Sequence, residues 1–304
     1  MDLFLNLIRG FSMALADSVP GVSGGTIAFV LGFYDEFIGS LYVLTHGTRE
    51  LKQHALVFLG KLGIGWALGM GSSVMVLGSL FTTRIYELSS LFLGLSLFSL
   101  PLILKEEKQA LSQKNRLPFF LLGLFVVFVI TWFNPAGGKG VQVDVAQLTP
   151  TLGLYIFVCA MIAICAMVLP GISGSTMLLI FGLYVPIIGA IRCNSFIIEP
   201  FDPSPSRSPF IHFFGCGVLT GIVGIIRIVK NALEMHRAAM VYFILGLMVG
   251  SLYTIVTGPT TLKIPQPAMT FETFSPLCFL LGGIFLYALD KLRKFSEKKL
   301  HPEG

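Results

Sequence analysis

Pro20-Gly21-Val22-Ser23-Gly24-Gly25-Thr26 sits in the middle of one apolar stretch, and Pro170-Gly171-Ile172-Ser173-Gly174-Ser175-Thr176 sits in the middle of another. Proline beside glycine ends a helix, because the ring removes a backbone donor and glycine has no steric preference. Each surrounding region, about 3–43 and 151–191, therefore reads as helix, break, helix. The segment before the first break is barely long enough to cross a bilayer, which favours re-entrant hairpins.

Outward from the two breaks, the chain remains apolar. Of its 304 residues 54% are hydrophobic and only 12% charged, about half the usual charged fraction of a soluble domain. That composition excludes a soluble enzyme, a disordered tail and a free-standing nucleic-acid binder. Six further runs are long enough to span, at about 56–81, 88–104, 117–133, 210–229, 239–257 and 275–290. The alternation of a β-barrel is absent. The expected architecture is an all-α polytopic membrane protein.

Whether a hairpin re-enters or crosses twice, both its ends return to one side. Of the 21 basic residues, Arg84, Lys139, Arg192, Arg207 and Lys263 then fall on one face, Lys61 lies inside a span, and the other 15 lie on or near the opposite face. By the positive-inside rule that second face is cytoplasmic. The expectation is a multi-pass protein of the cytoplasmic (inner) membrane with both termini inside. Ala14-Leu15-Ala16 superficially resembles a signal-peptide cleavage site. The basic n-region is missing and Arg9 interrupts the apolar stretch, so the segment reads as retained.

The two broken regions align at an offset of 150, with Gly32, Tyr34 and Ile38 matching Gly182, Tyr184 and Ile188 beyond the motifs. Phe58, Gly60 and Gly69 pair with Phe213, Gly215 and Gly224 at 155, Gly94 and Ser99 with Gly246 and Ser251 at 152, and Pro118 with Pro276. Each half, 1–140 and 141–304, is one hairpin plus three spans. Three is odd, so the halves are expected to be inverted, within one membrane domain. Inverted repeats with broken helices are the build of many secondary transporters, whose unwound backbone binds polar ligands near the midplane.

At each break a helix starts near Ser23-Gly24-Gly25-Thr26 or Ser173-Gly174-Ser175-Thr176. Free first-turn N–H groups and hydroxyls there make an anion site, well suited to phosphate. Plain helix capping by Ser and Thr is the alternative, and it is compatible with binding. Arg9, Lys61 and Arg227 are candidates to neutralise the anion, although Lys61 and Arg227 also suit snorkelling to the interface. Asp17 has Met167 in its place in the second half. That asymmetry suits a coupling proton or a held arginine; an N-cap or structural ion pair is the plainer role. Asp35 and Glu36 are expected at the interface. Gly60, Gly65, Gly69, Gly217, Gly221 and Gly224 have spacing that lets helices approach closely. The five cysteines and the histidines form no metal-ligand pattern, and P-loop and dinucleotide signatures are absent, so neither a metal, a cofactor nor a catalytic residue is expected.

The stretch Ala16–Thr26, the following Gly32-Phe33-Tyr34-Asp35 and the second motif at 170–176 resemble the polyprenyl-phosphate transporter family of bacterial and archaeal membrane proteins, formerly a domain of unknown function. The second motif is looser, with Ser175 in place of Gly25 and no acidic residue. The resemblance implies a flippase, rather than an enzyme, that returns undecaprenyl phosphate across the cytoplasmic membrane for cell-envelope precursor recycling. Its partners would be the polyprenyl-phosphate lipid and the bilayer, with protons as a possible coupling ion and no nucleic acid. One alternative is a phosphatase acting on undecaprenyl pyrophosphate. Those enzymes resemble this plan but carry an arginine after the motif serine, where this chain has Gly24 and Gly174. The other alternative is a small-anion transporter.

Overall fold

The computed structural model describes residues 2–18, 23–132, 149–183, 207–261 and 266–300. Among these there are helices and no strand. In chain order they are α1 (Asp2–Asp17), α2 (Gly24–Val30), α3 (Tyr34–His46), α4 (Arg49–Thr83), α5 (Ile85–Glu106), α6 (Lys108–Leu111), α7 (Leu117–Trp132), α8 (Pro150–Val168), α9 (Gly174–Ile180), α10 (Arg207–Met235), α11 (Arg237–Thr257) and α12 (Pro276–Leu300). Short 3-10 turns follow at 114–116 and 258–261.

Five helices, α4, α5, α8, α10 and α11, are long and apolar enough to cross a membrane, and α2 with α3 forms a pair bent by 119°. Of the runs read from sequence, those at 56–81, 88–104, 210–229 and 239–257 fall within four of these five, whereas those at 275–290 and 117–133 fall on α12 and on α7, which is only 16 residues long. The fifth long helix is α8. Thr149 caps it by accepting from the Leu152 amide, Pro150 starts it, and it runs 19 residues. At 1.5 Å per residue that is about the thickness of the hydrocarbon core, so its length alone permits a full crossing. The return arm expected through 191 lies beyond Leu183, outside the described residues.

Four helix pairs carry most of the packing: α1 with α4, α8 with α10, α5 with α12, and α7 with α11. Glycines let the backbones meet. A Cβ on Gly65 would lie 2.2 Å from the Leu7 carbonyl oxygen, and one on Gly69 2.7 Å from that of Phe11. Gly217 and Gly221 meet Phe157 and Met161 in the same way, at 2.3 and 2.8 Å. In both pairs the contacts advance together along the two helices, so the helices run parallel. Between α1 and α4 the chain has therefore come back to the end where α1 began; α2 and α3 make that return.

The other two pairs link the two halves of the sequence. Gly94 meets the Phe279 carbonyl and Gly282 that of Leu91, while Gly246 meets the Phe120 carbonyl and Gly123 that of Phe243. These four contacts form two matched sets, with α5 and α11 offset by 152 and α7 and α12 by 159. The α4 and α10 contacts also fall at 152. This corrects the alignment read from sequence: Gly65 corresponds to Gly217, Gly69 to Gly221 and Phe58 to Phe210, three positions from the 155 offset, and the last pair shifts by one. Gly60 and Gly224 have nothing within 4 Å of a Cβ and take no part in the crossings.

The turns after α2 and α9 repeat as well. Gly32 and Gly182 have φ of +69° and +68°, and the next amides, of Phe33 and Leu183, bond back to the carbonyls of Ala28 and Leu178. This is a Schellman ending, and the left-handed position it requires explains glycine at both sites. Of the five helices long enough to cross, α11 is the most enclosed, with 67% of an 18-residue apolar stretch buried against 17% for α10.

Candidate functional site

The two helix breaks meet. Where α8 stops, Pro170 and Gly171 leave the carbonyls of Met167, Val168 and Leu169 without the amides that a continuing helix would supply. The first half supplies donors. The Ser23 hydroxyl lies 3.3 Å from the Leu169 carbonyl and 3.5 Å from that of Met167, and the Tyr34 hydroxyl donates to Val168 at 3.1 Å. In the other direction, the Gly171 amide donates to the Thr26 hydroxyl at 2.8 Å. A Cβ on Gly25 would lie 2.9 Å from the Val168 carbonyl, and one on Gly171 2.7 Å from the Leu247 backbone of α11. Ser23, at 0% exposure, and Thr26, at 3%, are fully enclosed. Ser173 and Thr176 are buried too.

The start of α2 is satisfied from within the protein. Gly24 donates to Asp17 Oδ1 at 2.7 Å, Gly25 donates to the Ser23 hydroxyl at 3.1 Å, and Thr26 donates to the Ser23 carbonyl at 2.9 Å. Asp17 also accepts from the indole Nε1 of Trp66 at 3.0 Å. Its carboxylate thus caps the helix across the break and ties α1, α2 and α4 together, favourably placed at the positive end of α2. At the start of α9 the neighbour is Met167, whose Cβ lies 3.0 Å from where a Gly174 Cβ would be; the equivalent Gly24 position faces Asp17 Oδ2 at 2.6 Å. The two breaks share one geometry, but one holds a charge and the other a thioether side chain. Pro20, Gly21 and Val22, and the Ser175 side chain, lie outside the described residues.

The basic candidates differ in their surroundings. Arg9, on α1, has its guanidinium 4.7 Å over the Phe33 ring, bonds Asn6 at 3.1 Å and faces Glu36 at 3.8 Å. Arg227 is exposed on α10, and Lys61 is partly exposed on α4. Among the described residues no group of His, Cys, Asp or Glu has the arrangement of a metal site. Cys159 is buried, as expected of a packing residue, while Cys216 is exposed.

Sequence reading missed Trp66 and Tyr34 as partners of the breaks. A signal for Trp66 existed: it falls one turn after Leu62 and between Gly65 and Gly69, on the face that meets α1. It also missed Arg237, which bridges Asp35 and Glu107 from a different helix. Nothing in the local sequence joins residues so far apart.

A family description, undecaprenyl phosphate translocase-like, matches residues 13–273, a range that holds both breaks. The chain belongs to this family. Among its relatives is a protein of Vibrio cholerae named a polyprenyl-phosphate transporter, 30% identical over 273 residues, covering 86% of this chain and 80% of the relative. Another, of Staphylococcus aureus and with the same name, is 32% identical over 297 residues, covering 97% and 98%. No solved structure matches. Family membership and the apolar helices together make this a multi-pass membrane protein.

Proposed function

We propose that this protein is a polyprenyl-phosphate carrier whose two inverted halves expose the lipid headgroup alternately to either side of the membrane. The observation that carries the reading is the meeting of two helix breaks, each with a buried serine and threonine, in a chain whose relatives are named polyprenyl-phosphate transporters. Non-helical backbone is costly at membrane depth unless it lines a cavity or binds a ligand. The matched glycine crossings at 152 and 159, and the parallel course of α1 and α4, support inverted repeats with re-entrant hairpins. The charge bias supports cytoplasmic termini.

In this reading the phosphate binds at the junction, to Ser23, Gly24, Gly25 and Thr26 from the first half and Ser173, Gly174, Ser175 and Thr176 from the second, while the prenyl tail stays in lipid. The α2 donors are already engaged within the protein. Full engagement at the first break requires Asp17 to give up Gly24, which is how proton uptake at Asp17 would couple to headgroup binding. Arg9, Lys61 and Arg227 act along the headgroup's route. The expected task is return of undecaprenyl phosphate to the cytoplasmic leaflet.

The test is reconstitution in liposomes containing labelled undecaprenyl phosphate, following leaflet exchange, with phosphate release from the pyrophosphate measured in parallel. Exchange that is impaired in Ser23→Ala/Thr26→Ala at normal expression is the expected result. Phosphate release would favour an enzyme. Small-anion uptake with neither exchange nor release would refute the lipid assignment, and unchanged exchange in the double variant would refute the junction as the site.

A further inference from the structure

Arg237 is the first residue of α11, Glu107 links α5 to α6, and Asp35 lies in the first turn of α3. The guanidinium joins all three elements. Its Nε and Nη2 bond the two oxygens of Glu107 at 3.1 and 2.5 Å, and its Nη1 bonds Asp35 Oδ2 at 2.7 Å. Two parallel bonds to one carboxylate are the strong form of an arginine pair. The Glu107 side chain is only 15% exposed, so the pair is better shielded than an ordinary surface bridge. Arg9 and Glu36 bind α3 to α1 nearby, and Lys230 of α10 lies 4.1 Å over the Tyr42 ring of α3. The arm that returns the chain from the first break is thus held by charge to the ends of α5 and α11.

The matched spacing of the crossings identifies the corresponding place at the other end of the bundle. At 152 positions' distance Arg237 corresponds to Ile85 and Glu107 to Pro259. Both are buried, and α5 packs against the 258–261 turn that contains Pro259. Neither of these two positions can carry the ion pair that Arg237 and Glu107 form.

We propose that Arg237, Glu107 and Asp35 form an ionic latch that holds their end of the carrier closed, opposite an end whose matching positions, Ile85 and Pro259, are uncharged. The inference rests on the alternating-access reading for its role in transport, but the latch itself is a property of conformation. The matching positions at the two ends therefore differ in physics. Ion pairs at a water-facing end weaken with salt, whereas apolar contacts do not. The two gates therefore respond separately to ionic strength and to charge removal.

Two buried serines serve as matched reporters. Ser99 on α5 lies eight residues before Glu107, and Ser251 on α11 eight before Pro259. Ser99→Cys and Ser251→Cys are made singly in the full chain with its native cysteines replaced. Each is placed in nanodiscs of phosphatidylethanolamine and phosphatidylglycerol, and the rate of labelling by a charged maleimide is followed. Arg237→Gln is expected to raise labelling at Ser99→Cys about fivefold, the shift that about 1 kcal/mol of lost pairing supplies. Labelling at Ser251→Cys should not rise. KCl at about 0.5 M should raise Ser99→Cys labelling in the parent and leave Arg237→Gln unmoved. Arg237→Lys, which keeps the charge but not the paired bonds, should fall between.

Equal Ser99→Cys labelling in parent and Arg237→Gln would overturn the latch. So would a parallel rise at both reporters, which marks a loosened fold, or an equal salt response in both proteins. Leaflet exchange of undecaprenyl phosphate is scored separately. A latch confirmed by labelling in a protein that moves no lipid would refute the carrier reading alone.

Discussion

Gly65→Ala changes one hydrogen to a methyl group, and the structure gives its consequence. The new Cβ would lie 2.2 Å from the Leu7 carbonyl oxygen and 2.8 Å from its carbonyl carbon, where ordinary contact begins at 3.4 Å. The obstacle is backbone and cannot swing aside. Helix α1 must retreat by about 1 Å, and a gap of that size forfeits a quarter to a half of each dispersion contact along the seam. Overpacking of this kind costs about 1–3 kcal/mol, and the upper end applies here. Alanine returns about 1 kcal/mol in helix propensity, leaving a net loss of about 2 kcal/mol. At roughly 2–4 °C per kcal/mol, the Tm should fall by about 4–8 °C. Gly60→Ala, on the same helix with nothing within 4 Å, should leave Tm unchanged or raise it. The retreat of α1 also draws Asp17 from Gly24 and Trp66, so lipid exchange should fall for Gly65→Ala only. Thermal unfolding in detergent followed by size-exclusion fluorescence reads the first effect, and the liposome assay the second. If the two alanines shift Tm alike, the close parallel crossing of α1 and α4 is wrong.

Other substitutions test the junction. Thr26→Val leaves the Gly171 amide buried without its acceptor and should cost about 1–3 kcal/mol of stability, whereas Thr26→Ser should cost much less. Tyr34→Phe removes a bond between the halves and should cost about 0.6–1.7 kcal/mol by reversible denaturation. Asp17→Ala strands the buried Gly24 amide and the half-buried Trp66 indole, at about 1–3 kcal/mol or more; Asp17→Asn keeps one acceptor and should lie well below it. Met167→Asp places a carboxylate beside Gly174 as Asp17 lies beside Gly24. Competition with the phosphate is expected to slow leaflet exchange about tenfold, equivalent to about 1.4 kcal/mol, and an unchanged rate would count against headgroup binding at the second break.

Much of this was legible in the residues because membrane folds punish ambiguity. Unpaired backbone cannot face lipid, so Pro20-Gly21 and Pro170-Gly171 announce breaks. Gly32 and Gly182 stood out in sequence only as matching positions, and the structure adds their left-handed turns. The small-residue faces were visible too, but not their register. Gly60 and Gly65 look alike in sequence, and only the partner backbone of Leu7 decides which one is a contact. That is why the α4–α10 alignment slipped by three positions. The proposed anion site was read from its donors, and an N-cap was the plainer role expected of Asp17; which amide it would cap was not legible, since whether Asp17 reaches Gly24 depends on the angle between α1 and α2. Arg237 was counted only as one more cytoplasmic charge, because its partners come from helices far away in the chain.

The exchange of partners between the halves, α5 with α12 and α7 with α11, bears on how the protein is made. Helix α5 enters the membrane early, with Leu91, Gly94 and Phe98 aligned for a neighbour that the ribosome has not yet synthesised. Until α12 emerges, that groove is filled by lipid or by another chain. The first half on its own is then an incomplete fold that quality control should recognise and degrade. Two fragments divided between α7 and α8, produced together, should each rescue the other.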